Sequence, residues 1–522
     1  MKIFQLFISH KMHFVSCLIL LGLLPLVIIL LTAQDIPFSD FAILEWQSYT
    51  FFSKDFSQGL YFSYSANDMD PEFRLFPLPD HFFHMVNNQP MSVFPPILPF
   101  LYSFLYGEYF NYFYKFLQLT LFIGSILLLQ KMKPRIGITI LTIFGSQISI
   151  YIFLLHETIL VFFLQSAGLF LLYRNKYLTS GLISGLIVLF RPEAIFVGFL
   201  PLLFLKHTRS QKISKSSKLQ FLLAFSIGLA IVGGTQWAIY NSIFGLRIEK
   251  NILFHFDLEL QKSLLFLVFY KLPIFTLFLI LSLASLIWIV FRNKAKHKST
   301  NPLKAKPNQD AKFNEVELEY RNLQKHSWFI SKFNFPFILL VFILLVFFLS
   351  PNHGGHNTPR YFFVFLPFLI LICNHYLIYL KKSFRYLIMA SILFIGSINL
   401  IFTYTELKQL SNLQNKIKSQ IQSIDYDTIV FTNPDISFCF INLFKDRNNY
   451  FLLRDNKDMK ILYNAATKKN WSKIAVVDMV YNQDPKDHFA KICDTEDCSF
   501  RFDKRISIDN SELPWVVYYI EK

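Results

Sequence analysis

Long apolar runs separated by short basic connections constrain this 522-residue chain more than any motif does. Runs at 15–33, 110–130, 137–155, 157–173, 219–241, 263–291, 335–350, 361–380 and 386–405 approach or exceed the roughly 20 apolar residues that cross a bilayer as a helix. Hydrophobic residues make up 53% of the chain and charged residues 16%, against roughly 25% charged in an average soluble domain. Disorder is excluded, and an ordinary soluble enzyme is a poor fit.

The charges read as a topology map. Residues 1–33 hold two Lys and no acid, 34–92 eight acids against two bases, 93–405 thirty bases against ten acids, and 406–522 seventeen of each. The formal net charge of +16 therefore lies in the apolar part of the chain. Its bases cluster in connections, at Lys131, Lys133 and Arg135, at Arg174 and Lys176, and from Lys206 to Lys218, which is how cytoplasmic loops are marked. A basic chain can also signal a nucleic-acid partner, but bases confined to such connections do not build a basic face, and no nucleic acid is expected.

An uncleaved anchor at 15–33, with Lys2 and Lys11 inside, makes the acidic stretch 34–92 the first external loop. The segment 93–107, with Pro95, Pro96 and Pro99, reads as an external or partly inserted helix. The run 178–205 is interrupted by Arg191-Pro192-Glu193. An Arg at mid-bilayer costs on the order of 2.5–3.5 kcal/mol and proline breaks a helix, so this run reads as two short helices meeting outside. The stretch 292–332, with ten bases and four acids, is a solvated cytoplasmic loop. The count comes to about 11 transmembrane helices, between about 10 and 13, in an all-α polytopic membrane module over 1–405.

The last span exits outward, so 406–522 is external. Its apolar runs at 428–431, 450–453, 473–477 and 515–520, with a helix-like stretch at 457–471, suggest a small C-terminal α/β domain. No glycine-rich phosphate fingerprint follows these runs, so nucleotide binding is unsupported. Of the five Cys, Cys17 and Cys373 lie in apolar runs as small buried hydrophobes, while Cys493 and Cys498 could close a disulfide loop in an oxidising compartment.

Ionisable groups beside membrane spans are costly and are weighed first as functional. On the external side the polar candidates are Asp40 and Glu45, Arg74, His81 and His84 in the first loop, Glu157 at a hairpin tip, Arg191 and Glu193, Asn241 with Arg247, and His353, His356 and Arg360 before a late span. Asp40 and Glu45 are five apart, roughly 140° around a helix, so they do not form a paired-carboxylate site. One carboxylate acting as general base is easier to build, and Asp40 as a simple helix cap is an equal alternative. Arg191 and Arg360 either grip a phosphate or snorkel to headgroups. His353-Gly354-Gly355-His356 lacks a third metal ligand and reads equally as a solvated turn.

The order of motifs is informative: Ser39-Asp40-Phe41-Ala42-Ile43-Leu44-Glu45, Phe94-Pro95-Pro96-Ile97-Leu98-Pro99, His156-Glu157-Thr158, Gly181 and Gly185 before Arg191-Pro192-Glu193-Ala194, Asn241-Ser242-Ile243-Phe244-Gly245, and Pro359-Arg360-Tyr361. Over about residues 15–405 this resembles the GT-C superfamily of integral membrane glycosyltransferases, near the dolichyl-phosphate-mannose protein mannosyltransferase and aminoarabinose transferase group. The resemblance implies a helical membrane core, a polyprenyl-phosphate-linked sugar donor, and a catalytic Asp in the first external loop. That role falls on Asp40 as general base, with Glu45 as its second. The family's first loop often carries adjacent Asp and Glu, whereas here Phe41 follows Asp40. Substrate and phosphate ligands are then sought among Arg74, Arg191, Arg360, Glu157, His353 and His356, with no metal ligand assigned and a divalent ion left open as a cofactor.

The expected function is inverting transfer of a sugar to a lipid, glycan or protein acceptor at the outer face, in a bacterial inner membrane with the C-terminal domain in the periplasm. Two alternatives share the lipid-linked substrate. A transporter or flippase would show broken helices in both halves, and only the interruption at Arg191 is evident. An O-antigen polymerase or ligase would place its key bases in a later external loop.

Overall fold

Helix α1 (Asp40–Ser53) is buried around most of its circumference, with Asp40 to Leu44, Trp46 to Ser48, Thr50 and Phe51 all inside. A helix covered on all sides belongs to the interior. The structure, a computed structural model, describes residues 40–64, 66–76, 82–132, 136–203, 214–246, 258–284, 334–349, 359–422, 426–432, 450–479, 501–508 and 515–521. The run 15–33, the loop 292–332, His81, Arg247, His353, His356, Cys17, Cys493 and Cys498 lie outside the described residues.

Around α1 stand the short helix α2 (Ile97–Ser103), α3 (Phe110–Met132), α4 (Thr158–Tyr173), α5 (Tyr177–Leu186), α6 (Lys215–Tyr240), α7 (Leu258–Lys271), α8 (Pro273–Ala284), α9 (Asn334–Leu349), α10 (Leu366–Tyr379) and α11 (Lys382–Gln422). Among the described residues four helical stretches are long and apolar enough to cross a membrane, or five if the bent pair α7 and α8 is one span; five more are shorter and apolar. Leu223, Ile227 and Ile231 on α6, and Phe394, Ile398 and Phe402 on α11, recur every four residues and are about half exposed or more. Such apolar stripes have no place against water and face lipid. The helix through Arg360 and α10 is instead buried along nearly its whole length, at the centre of the bundle.

Three runs read as plain spans fold otherwise. Residues 137–155 do not form one helix: Ile136–Ile140 passes into a π-turn at Leu141–Gly145, Gln147 takes a left-handed φ of 53°, and Ile148–Ile152 is 3₁₀. Thr142 and Ser146 donate their hydroxyls to the carbonyls of Ile138 and Thr142, at 2.7 and 2.5 Å, and such bonds compete with the regular helix ladder. The run 263–291 bends by 91° between α7 and α8, where Pro273 removes a donor and Asn399 donates to the carbonyl of Tyr270 at 2.9 Å. Finally, α11 does not stop near 405 but continues to Gln422. Its 41 residues reach about 60 Å, about twice the roughly 30 Å hydrocarbon core.

The glycines before Arg191 have a packing reason. A Cβ on Gly181 would meet the carbonyl of Phe221 at 2.3 Å, and one on Gly185 that of Phe225 at 2.5 Å. Helices α5 and α6 therefore cross with backbones in contact, the small-xxx-small arrangement of membrane helices.

After α11 comes a five-stranded sheet in the order β4-β3-β5-β7-β6. Strands β3 (Thr428–Phe431), β4 (Tyr450–Leu452) and β5 (Lys473–Met479) are parallel, with helix α12 (Asn456–Lys469) between β4 and β5, and β7 (Trp515–Glu521) runs antiparallel to β5 and β6. Strand β6 (Arg501–Ile508) was not expected from the sequence: it lies at the sheet edge and carries Arg501, Asp503, Lys504 and Arg505, the charge that edges tolerate and that hides a strand signal. The sheet packs on the first loop, where Ala66 and Leu75 join Val430, Phe451, Leu453 and Leu462 in one apolar cluster. That loop also holds the hairpin β1 (Phe83–Val86) and β2 (Gln89–Ser92).

Candidate active site

Two prolines set the centre. Arg191 precedes Pro192 and takes an extended conformation, φ −137° and ψ 99°, as residues before proline prefer. Arg360 follows Pro359 and opens the 3₁₀ turn Arg360–Phe365. Both guanidinium groups thereby leave the helix lines and turn to one place, with Arg191 1% and Arg360 7% exposed.

Arg360 Nη1 donates to Oδ2 of Asp40, 320 residues away at the head of α1. Arg191 Nε donates to Glu157 Oε1 at 3.1 Å, and its Nη1 to Glu193 Oε1 at 3.2 Å. Between the two arginines lies His156, fully buried. The Thr158 amide donates to its Nδ1 at 3.2 Å, and the Thr158 hydroxyl is 2.7 Å from the same nitrogen. Nε2 lies 3.3 Å from Glu157 Oε2 and 3.2 Å from Arg360 Nη1. Arg191 Nη2 donates to the Thr158 hydroxyl at 3.1 Å, so the hydroxyl relays one donor to the imidazole. Phe41 and Tyr151 set their rings against His156 at 5.7 and 5.3 Å.

The loop that presents His156 and Glu157 is held from α3. Gln118 Nε2 donates to the carbonyl of Leu154 at 2.7 Å and the Tyr114 hydroxyl to that of Phe153 at 3.3 Å. These bonds replace the helical partners that the broken segment 148–155 lacks.

The cluster therefore joins Asp40, Glu157, Arg191 and Arg360 from four distant parts of the chain. It also includes Glu193, named among the external candidates, His156 and Thr158, which flank Glu157 in its motif, and Tyr151, to which sequence reasoning gave no role. Glu45 is half-buried further along α1. Arg74 stands apart: its Nε donates to Asp458 Oδ1 at 2.8 Å and its Nη2 to Asp455 Oδ2 at 2.7 Å, so it ties the first loop to the C-terminal sheet and is not part of the cluster around Asp40. Among the described residues no group of three or more His, Cys, Asp or Glu is arranged to hold a metal.

Arg360 Nε is buried and makes no hydrogen bond among the described residues. An unpaired donor on a buried cation is costly and is where a ligand oxygen is accommodated. Beside Pro192 an apolar cavity of about 260 Å³ is bordered by Val93, Pro95, Leu189, Val232 and Phe244. Its floor is shaped by Gly245, at φ +74°, where a Cβ would lie 2.3 Å from Gln236 Oε1.

No family model matches the chain, and no curated protein matches it. Among solved structures, the crystal structure of ArnT from Cupriavidus metallidurans bound to undecaprenyl phosphate is similar over 93% of each chain, with 11% sequence identity and a TM-score of 0.45.

Proposed function

We propose that this chain is a membrane glycosyltransferase that moves a sugar from a polyprenyl-phosphate carrier to an acceptor hydroxyl or amine, with inversion, at the outer face of a bacterial inner membrane. The observation that carries the reading is the buried meeting of Asp40 with Arg360. The motif order of residues 39–45, 156–158, 191–194 and 359–361 supports it.

The reaction needs one displacement. As the acceptor oxygen or nitrogen bonds to the anomeric carbon, its proton passes to Asp40. The anomeric C–O bond breaks and its electron pair leaves with the polyprenyl phosphate. Arg360 supplies the counter-charge that a buried carboxylate requires, and its Nε is a donor for the departing phosphate. Arg191 already faces Glu157 and Glu193, which makes it the weaker phosphate ligand and the framework that orients Glu157 and His156. The apolar cavity suits part of an isoprenoid chain.

Purified full-length protein, given polyprenyl-phosphate sugars and candidate acceptors, is expected to release polyprenyl phosphate. Asp40→Asn is expected to stop that release in a protein that still folds, at a lower melting temperature because Arg360 loses its buried counter-charge. Release at an unchanged rate by Asp40→Asn would sink the mechanism.

One observation favours a second reading. The bend of 91° between α7 and α8 gives the second half of the chain a broken helix to match the one at Arg191, as transporters often have. In proteoliposomes a transporter would carry a labelled lipid-linked sugar across the bilayer intact, whereas a transferase consumes it.

A further inference from the structure

A second cavity, of about 580 Å³, lies in the first loop at the far end of α1 from Asp40. The 14 residues of α1 separate its ends by about 20 Å, so this pocket is distinct from the buried cluster. Its wall is chemically specific. Four carboxamides line it, Gln58, Asn67, Asn88 and Gln89, all exposed, and so do the half-buried rings of Tyr61 and Tyr64. Lys54 is the one charged residue in the lining, and no Asp or Glu lines the pocket among the described residues.

The frame is well fixed. Asn87 and Asn88 connect β1 to β2 with φ of 53° and 58°, the two left-handed positions of a type I′ turn, which Asn accepts more easily than other side chains. Lys54 Nζ donates to Ser63 Oγ at 2.9 Å, tying the end of α1 to the facing segment. The Tyr64 hydroxyl donates to Asp70 Oδ2 at 2.6 Å, which fixes the ring.

Carboxamides offer a donor and an acceptor on one group, which is what paired sugar hydroxyls require. Aromatic rings supply apolar faces with a polar tip. An ammonium group with donors beyond the one given to Ser63 adds a preference for an anion. We propose that this first-loop pocket binds a sugar residue carrying an acidic group, a carboxylate or a phosphate. The proposal stands on the pocket alone and holds whether or not Asp40 transfers a sugar.

The test is equilibrium binding of D-glucuronic acid, D-glucose 6-phosphate and D-glucose to the detergent-purified full chain, read by saturation-transfer NMR. At least one acidic sugar is expected to bind roughly tenfold more tightly than D-glucose, and which one does so tells carboxylate from phosphate. Lys54→Gln is expected to erase that preference, and Tyr61→Ala to weaken all three sugars, with both variants folded by circular dichroism. Failure of both acidic sugars to bind, equal binding of all three, or an unchanged preference in Lys54→Gln would overturn the proposal.

Discussion

Two charge clusters of this molecule use the same side-chain types to different ends. Around His156, two arginines and three carboxylates meet at the ends of membrane helices with almost no exposure. Between the first loop and the C-terminal sheet, Arg74 joins Asp455 and Asp458 with the Arg74 and Asp455 side chains 30% and 51% exposed. The clamp is reinforced by bonds to backbone carbonyls, from Leu452 N–H to Leu75 at 2.8 Å and from the Arg454 guanidinium to Phe76 at 3.1 Å, and by the apolar cluster behind it. It is a docking device whose ion pairs are one part of a larger contact. In the buried cluster Asp40, Glu157, Arg191 and Arg360 are each 7% exposed or less. Charges taken out of water are repaid only by excellent geometry, and an apolar replacement of similar volume is often as stable. Retaining five charged groups there is therefore better explained by chemistry than by stability.

That contrast can be broken experimentally. Arg360→Met leaves Asp40 buried without its partner, and the expected loss is about 3–5 kcal/mol of stability, together with transfer activity. Combining it with Asp40→Asn should return much of the stability and none of the activity, as thermal melts and turnover assays of the two single variants and the double variant would show. If the double variant were no more stable than Arg360→Met alone, the two groups would not be acting as a pair.

A smaller effect is expected at the clamp. Arg74→Ala should cost roughly 1–3 kcal/mol, read as faster amide hydrogen exchange in β4 and α12, with sugar transfer largely kept. Loss of transfer without faster exchange would return Arg74 to the list of substrate ligands.

The smallest effect is a pH dependence within the sheet. Asp427 accepts the amide of Lys473 at 2.9 Å and both the amide and hydroxyl of Ser472, and these bonds, the Lys473 amide first, hold its carboxyl below the ordinary aspartate value of 3.8 despite some burial. A depressed folded-state pKa contributes stability above the unfolded value and loses it as pH falls through the folded one. Hydrogen exchange at β3 and β5 should therefore accelerate below about pH 3.8, and Asp427→Asn should flatten that dependence.

Much of the architecture was legible because burial in lipid imposes its own grammar. Spans at 110–130, 157–173 and 219–241 correspond to α3, α4 and α6 within a few residues, since a helix is what satisfies an apolar run's backbone groups there. The broken segment at 136–152 and the bend at Leu272 were not legible. Their apolar composition matches a straight span, and the breaks are stabilised by bonds to distant partners, such as Asn399 to Tyr270. The continuation of α11 past 405 was hidden by its change from apolar to polar residues, although Leu407, Leu410 and Leu413 keep a helical spacing against the core.

The sequence by itself determined a helical membrane protein, its lipid-facing runs, and a short roster of costly charges at the span ends, because each of these follows from local composition and period. Which of those charges meet was decided only by the tertiary structure. Arg74, Arg191 and Arg360 are chemically alike, and nothing near them in the chain distinguishes a docking clamp from a partner for Asp40. The distinction comes from packing that sets Arg360 against a residue 320 positions earlier and turns Arg74 toward carboxylates more than 380 positions later.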